Sequence, residues 1–172
     1  VLKEDKYQAT LSPMLSSLPS YTQLGMASLL PNNELSISPS DGSARVNGIS
    51  ASGIQARENI LKSNSGVSAG CIKMEQFLAM SRDETRDLAK ENDLVYIYHN
   101  GIDAVGDKRE TEEKLPDAVE AEILKLMECM KKVAGANRSN LLITSDHGFF
   151  YQEDHPTEAS FTAVDKTKLS YV

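Results

Sequence analysis

"DLVYIYHN" (93–100) and "NLLITS" (140–145) are short apolar, β-rich runs bounded by polar residues. Between them lies "PDAVEAEILKLMECMKKVAG" (116–135), which reads as one long helix. Pro116 stands near the first turn, acidic residues come early, Lys131 and Lys132 come late, and Gly135 is the expected C-cap. Val119, Ile123, Leu126, Met127 and Met130 form its expected inner stripe. Continuous apolar strands on either side of a helix describe a βαβ unit, so the sequence predicts an α/β fold with a parallel sheet.

Working outward, "EQFLAMSRDETRDLAKEN" (75–92) predicts one or two helices, "SAGCIKM" (68–74) a strand and "IQARENILKSN" (54–64) an amphipathic helix. Residues 32–53 shift to Asn, Ser, Gly and Pro around Ser40-Asp41-Gly42, predicting a hairpin-like polar insertion, or a lid, on a single domain spanning 1–172. "TQLGMASLL" (22–30) predicts a short helix stopped by Pro31, and "KYQATLSPML" (6–15) a strand. Tyr96 and Tyr98 read as strand core, and Met74, Met80, Met127 and Met130 as packing.

The chain has 172 residues, 25% charged and 40% apolar, with a formal net charge of −7. That length allows one domain with a real core. The negative charge opposes unaided grip on a nucleic-acid backbone, yet leaves room for a phosphate substrate if a divalent cation reverses the local sign. Two distant cysteines, Cys71 and Cys129, fit a reduced cytoplasmic setting better than a disulfide framework, and no run approaches a membrane span. The first residue is Val rather than Met, which predicts an interior piece of a longer protein. Phosphate loops, dinucleotide-binding glycine motifs and a Gly-x-Ser-x-Gly nucleophile elbow are all missing from the sequence.

In open α/β sheets ligands bind beyond the C-terminal ends of the strands. Both predicted strands release chemistry there: "HNGID" after the first and "SDHG" after the second. His99 and Asp103, four apart across Gly101, can aim at one point, with Asp107 following; equally they are what a loop contains. Asp146 and His147 can reach a metal from a turn, or cap and hydrogen-bond neighbouring chain. Ser16, Ser17, Ser20, Tyr21 and Thr22 supply hydroxyls ahead of a helix, where Ser20 or Thr22 can serve as N-cap or a hydroxyl can attack phosphorus. His155 reads as a solvated loop residue.

"LSSLPSYTQLGMASLLP" (15–31), "VYIYHNGIDAVGDKRETE" (95–112) and "LLITSDHGFFYQ" (141–152), in that order, closely resemble the PglZ domain of bacterial phage-exclusion (BREX) systems, a member of the alkaline phosphatase superfamily. The resemblance runs from about residue 7 to 152. It implies a three-layer α/β/α fold with a mostly parallel sheet, here lacking its first strand, whose loss would expose unpaired edges. It implies divalent metals at the C-terminal edge of the sheet and hydrolysis of phosphate or sulfate esters; the expectation taken from it is a phosphoester, most simply a phosphodiester, with one or two Zn²⁺ or Mn²⁺ ions as cofactor. Asp146 and His147 match ligands of one metal. His99 and Asp103 resemble a second ligand pair in reversed order. Ser17-Leu18-Pro19 resembles the nucleophile motif, making Ser17 the first candidate, with Ser16, Ser20 and Thr22 behind it. The implied partners are a phosphoester substrate, such as a nucleotide or nucleic acid, and other defence proteins. The rival expectation is a non-catalytic docking domain on the same fold.

Overall fold

Residues 7–106 and 115–149 are described by a computed structural model. At its centre two parallel strands, β4 (Ala69–Lys73) and β5 (Leu94–Tyr98), pair in register from Ala69 opposite Leu94 to Lys73 opposite Tyr98. Side chains alternate across a strand, and here the alternation divides two layers. Ala69, Cys71, Leu94 and Tyr96 face a cluster built on Leu24, Leu30, Val46, Ile60 and Leu61. Ile72 and Ile97 face the opposite cluster of Met74, Phe77 and Cys129. The first cluster comes from α1 (Thr22–Ser28) and Leu30 just beyond it, from α2 (Gly53–Asn64) and from Val46 between them; the second comes from α3 (Met74–Ala79) and α6 (Leu115–Gly135). Helices therefore cover both faces of a parallel sheet, the α/β/α layering expected from the sequence. Burying each large aliphatic side chain there contributes roughly 1.5–3 kcal/mol.

The crossover from β4 to β5 uses two helices. α3 ends at Met80, whose backbone is extended, and α4 (Arg82–Glu91) starts anew at Ser81. Ser81 and Glu84 form a reciprocal capping box: Glu84 N–H donates to Ser81 Oγ at 3.2 Å, and Ser81 N–H donates to Glu84 Oε2 at 2.7 Å. Residues 32–53 fold as expected into an antiparallel meander, β1 (Leu35–Ile37), β2 (Ala44–Val46) and β3 (Ile49–Ser50), separate from the parallel pair. Asn47 (φ 49°) and Gly48 (φ 81°) make its second turn, where positive φ at both central residues suits the strand twist. The meander is less detached than its polarity suggested, because Ala44 and Val46 are buried in the core.

Four expectations need correction. Residues 140–145 are not a buried strand: they join no ladder, and Leu142 is 86% exposed. Residues 7–15 likewise run outside any ladder. Apolar β-formers become a strand only where a neighbour completes their hydrogen bonds, and neither segment has one among the described residues. The stripe on α6 is also displaced: Leu115, Glu122 and Cys129 are buried, Leu126 and Val133 pack beside them, and Ile123 is exposed. Glu122 occupies an inner position because polar partners meet it there, as shown below. Finally, α6 closes at Asn137 (φ 63°) rather than at Gly135. Arg138 N–H reaches Val133 O and Asn137 N–H reaches Ala134 O, the two bonds of a Schellman ending.

Tyr96 and Tyr98 are half-buried, as strand residues whose tips need partners. The Tyr96 hydroxyl donates to Leu29 O at 2.8 Å, and the Arg57 guanidinium lies 4.8 Å from the Tyr98 ring centre. Burial pushes the Cys71 thiol up to about 11 and raises both tyrosine hydroxyls. No helix among the described residues is long and apolar enough to cross a membrane.

Candidate functional site

Thr22 opens α1, and no side chain caps that helix; Tyr21 occupies the N-cap position. The Thr22 hydroxyl is therefore not used as a cap. Its Oγ1 lies 3.1 Å from His147 Nε2, bridging residues far apart in sequence. The other ring nitrogen, Nδ1, is 3.1 Å from Gly148 O, so the imidazole is held from both ends. Ser145 Oγ also donates to His147 O, tightening the Ser145–Gly148 turn.

The approach of this turn to α1 depends on Gly25. A Cβ built there would fall within 2.8 Å of Asp146 Cβ and crowd the Asp146 backbone as well, so only glycine leaves room. Gly25 is helical and needs no left-handed backbone; its value lies in space alone. The "SYTQLGM" sequence thus serves two ends, presenting Thr22 and admitting Asp146 one turn later.

The third contributor is α5 (Asp103–Gly106), which follows β5. Asp103 Oδ1 lies 4.0 Å from His147 Nε2, and Asp146 Oδ2 lies 3.5 Å from the same atom. Asp146 Oδ2 is buried and has no hydrogen-bond partner among the described residues. Leaving a carboxylate oxygen buried and unsatisfied costs on the order of 1–3 kcal/mol, a deficit that a bound cation removes. Ligand atoms roughly 2.0–2.2 Å from a tetrahedral ion stand roughly 3.4 Å apart, close to the Asp146–His147 separation. The donors therefore fit part of a divalent metal's shell. Among the described residues no three His, Cys, Asp or Glu groups gather closely enough to complete one.

His99 goes elsewhere. Its Nε2 lies 2.8 Å from Glu122 Oε2 on α6, at ion-pair distance but misaligned for a hydrogen bond. Glu122 Oε1 accepts from Lys125 Nζ at 2.7 Å, and this carboxylate raises the pKa of Lys125. The structure thus brings Thr22, Asp103, Asp146 and His147 together and turns His99 toward α6. Ser17 and Ser16 are half-buried and Ser20 is exposed; none hydrogen-bonds to a described residue. Asp107 and His155 lie outside the described residues. Sequence reasoning missed Glu122, although a carboxylate set seven residues from both Leu115 and Cys129 on an apolar face was a visible signal.

The profile of one protein family, described as the BREX system PglZ alkaline phosphatase-like domain, matches residues 1–172. The chain is 39% identical over 168 residues to the alkaline phosphatase-like protein BrxZ of Escherichia coli O9:H4 (strain HS), covering 96% of this chain and 18% of that protein. It is 34% identical over 170 residues to the alkaline phosphatase-like protein PglZ of Bacillus cereus (strain H3081.97), covering 98% of this chain and 19% of that protein. The chain thus spans about a fifth of the length of these curated relatives. No solved structure matches it.

Proposed function

The chain belongs to the PglZ family of BREX alkaline phosphatase-like domains, and we propose that it carries part of a metal-dependent phosphoester hydrolase site. The single observation behind this reading is the meeting of Thr22, Asp103 and Asp146 around His147 Nε2, with Asp146 Oδ2 buried and unsatisfied. Asp146 and His147 would hold a divalent cation, Zn²⁺ or Mn²⁺, with Asp103 at the edge of the shell. Such an ion polarises phosphoryl oxygens and lowers the pKa of an adjacent hydroxyl. The missing ligands would come from other parts of a longer protein, in line with the share of the relatives that this chain spans.

In this reading the Thr22 hydroxyl gives up its proton to solvent and attacks phosphorus, one ester oxygen leaves and takes a proton from water to become an alcohol, and water later releases the remaining phosphomonoester and restores the threonine hydroxyl. Geometry favours Thr22 over Ser17, which the motif resemblance favours. The substrate is a phosphodiester, and the setting is a phage-defence assembly with other defence proteins as partners.

Hydrolysis of bis(p-nitrophenyl) phosphate by the whole protein in Mn²⁺ or Zn²⁺ tests the proposal. Asp146→Asn and Thr22→Ala are each expected to lose activity by on the order of 10²-fold or more, with Ser17→Ala near wild type. A dead Ser17→Ala beside an active Thr22→Ala would transfer the nucleophile's role. Full activity in Asp146→Asn contradicts the hydrolase reading. It would favour a docking domain, a reading that the net charge of −7 supports.

A further inference from the structure

Glu122 is a carboxylate that the site described above does not use, yet it is buried on the inner face of α6 at 6% exposure. A charge is rarely taken out of water without partners. Its partners are Lys125, one turn along the same helix, and His99, at the C-terminal end of β5. Lys125 is 54% exposed, so screening leaves it a modest role. His99, 17% exposed, is the contact that reaches another element.

A second, independent observation involves Gly101. A Cβ built there would lie within 2.6 Å of both Glu122 carboxylate oxygens. Gly101 does not sit in the left-handed region, so its backbone would accept alanine. Room for Glu122 is what the position requires. The carboxylate is thus lodged against the backbone of the turn that begins at His99 and ends in α5. Within the turn itself, Ala104 N–H donates to Asn100 O at 3.1 Å and Gly106 N–H to Ile102 O at 3.0 Å. Asp103 lies two residues beyond Gly101.

We infer that Glu122 is a positioning residue: seated against Gly101 and His99, it fixes the β5–α5 turn to α6 and so sets where Asp103 stands relative to His147. The role of Asp103 in this inference rests on the proposed metal site, whereas the clamp itself does not. His99 then acts through Glu122, as the turn's anchor, rather than on an ion.

Hydrogen exchange followed by mass spectrometry on the whole protein tests the clamp. Glu122→Gln keeps the shape but removes the charge; Gly101→Ala keeps the charge but displaces it. Both are expected to speed exchange in residues 99–106 about tenfold while β5 and the rest of α6 exchange as in wild type. Both are also expected to weaken Mn²⁺ binding by roughly 10–100-fold, the usual effect of losing a residue that supports a ligand. Unchanged exchange at 99–106 in both variants overturns the inference. So does exchange that rises uniformly throughout Gly101→Ala, since that is loss of fold and not of position. Should Glu122→Gln fail to fold, Gly101→Ala decides. Asp146→Asn, measured alongside, separates the two claims: if it binds Mn²⁺ as wild type does, the metal-site reading fails while the exchange result still judges the clamp.

Discussion

"LVYIY" at 94–98 and "LLITS" at 141–145 are nearly interchangeable as strings, yet only the first is a strand. Leu94 through Tyr98 pair residue for residue with β4 and pack on both faces against helices. Leu141 through Ser145 are exposed, with Leu142 at 86%. The difference is not propensity but company: a strand is stabilised by cross-strand neighbours and covered faces, and an extended segment without them stays outside the sheet. The site straddles this contrast. Asp103 follows the paired strand, and Asp146 and His147 follow the unpaired segment. Side-chain contacts with α1 hold the second half, where a ladder holds the first.

The sharpest way to break this comparison is to truncate one apolar residue on each side of it. Leu61→Ala removes a fully buried side chain behind β4 and is expected to cost about 2–5 kcal/mol. Leu142→Ala is expected to stay within about 0.5 kcal/mol in this chain. Chemical denaturation of both variants measures the difference, and similar costs would show that residues 141–145 pack after all. Next in size is Gly25→Ala, where a methyl must displace the Asp146 backbone, expected to cost about 1–3 kcal/mol. The same variant should lengthen the Thr22–His147 contact, visible as a changed His147 side-chain ¹⁵N resonance. Ser81→Ala, which removes a cap far from the site, should cost about 1 kcal/mol and leave that resonance alone.

A further expected effect is alkaline. The Cys71 thiol is raised from 9.0 to about 11, first by burial and then by the nearby Glu58 charge. The unfolded chain then releases this proton at lower pH than the folded one does. Stability should therefore fall as pH rises from about 9 to about 11, with Tyr98 steepening the loss above 10. Denaturation midpoints across that range, compared with Cys71→Ala, isolate the thiol's share; an identical slope in the variant would show that Cys71 contributes none of it.

Much of this was legible in the sequence because it is local. The helices at 22–30, 54–64 and 116–135, the polar meander and the separate strands β4 and β5 follow from periodicity, turn residues and apolar runs, whereas the pairing of β4 with β5 does not, since the sequence placed β5 beside 140–145. The motifs around Asp146-His147 and Asp103 singled out residues that the fold brings near one another. What escaped were properties of pairs. Whether 140–145 is a strand depends on a neighbour; whether Glu122 goes inside depends on Gly101 and His99; and which hydroxyl meets His147 depends on how Gly25 lets one turn approach one helix. The misplaced stripe on α6 has the same origin, since hydrophobicity alone could not admit Glu122 to the inner face.

The most direct test of the central claim is the Mn²⁺-binding isotherm of the whole protein, recorded beside Asp146→Asn and His147→Ala. The account predicts binding by the wild type that each substitution weakens by at least about tenfold, while Ser81→Ala binds as wild type does. Equal Mn²⁺ affinity in wild type, Asp146→Asn and His147→Ala would contradict it.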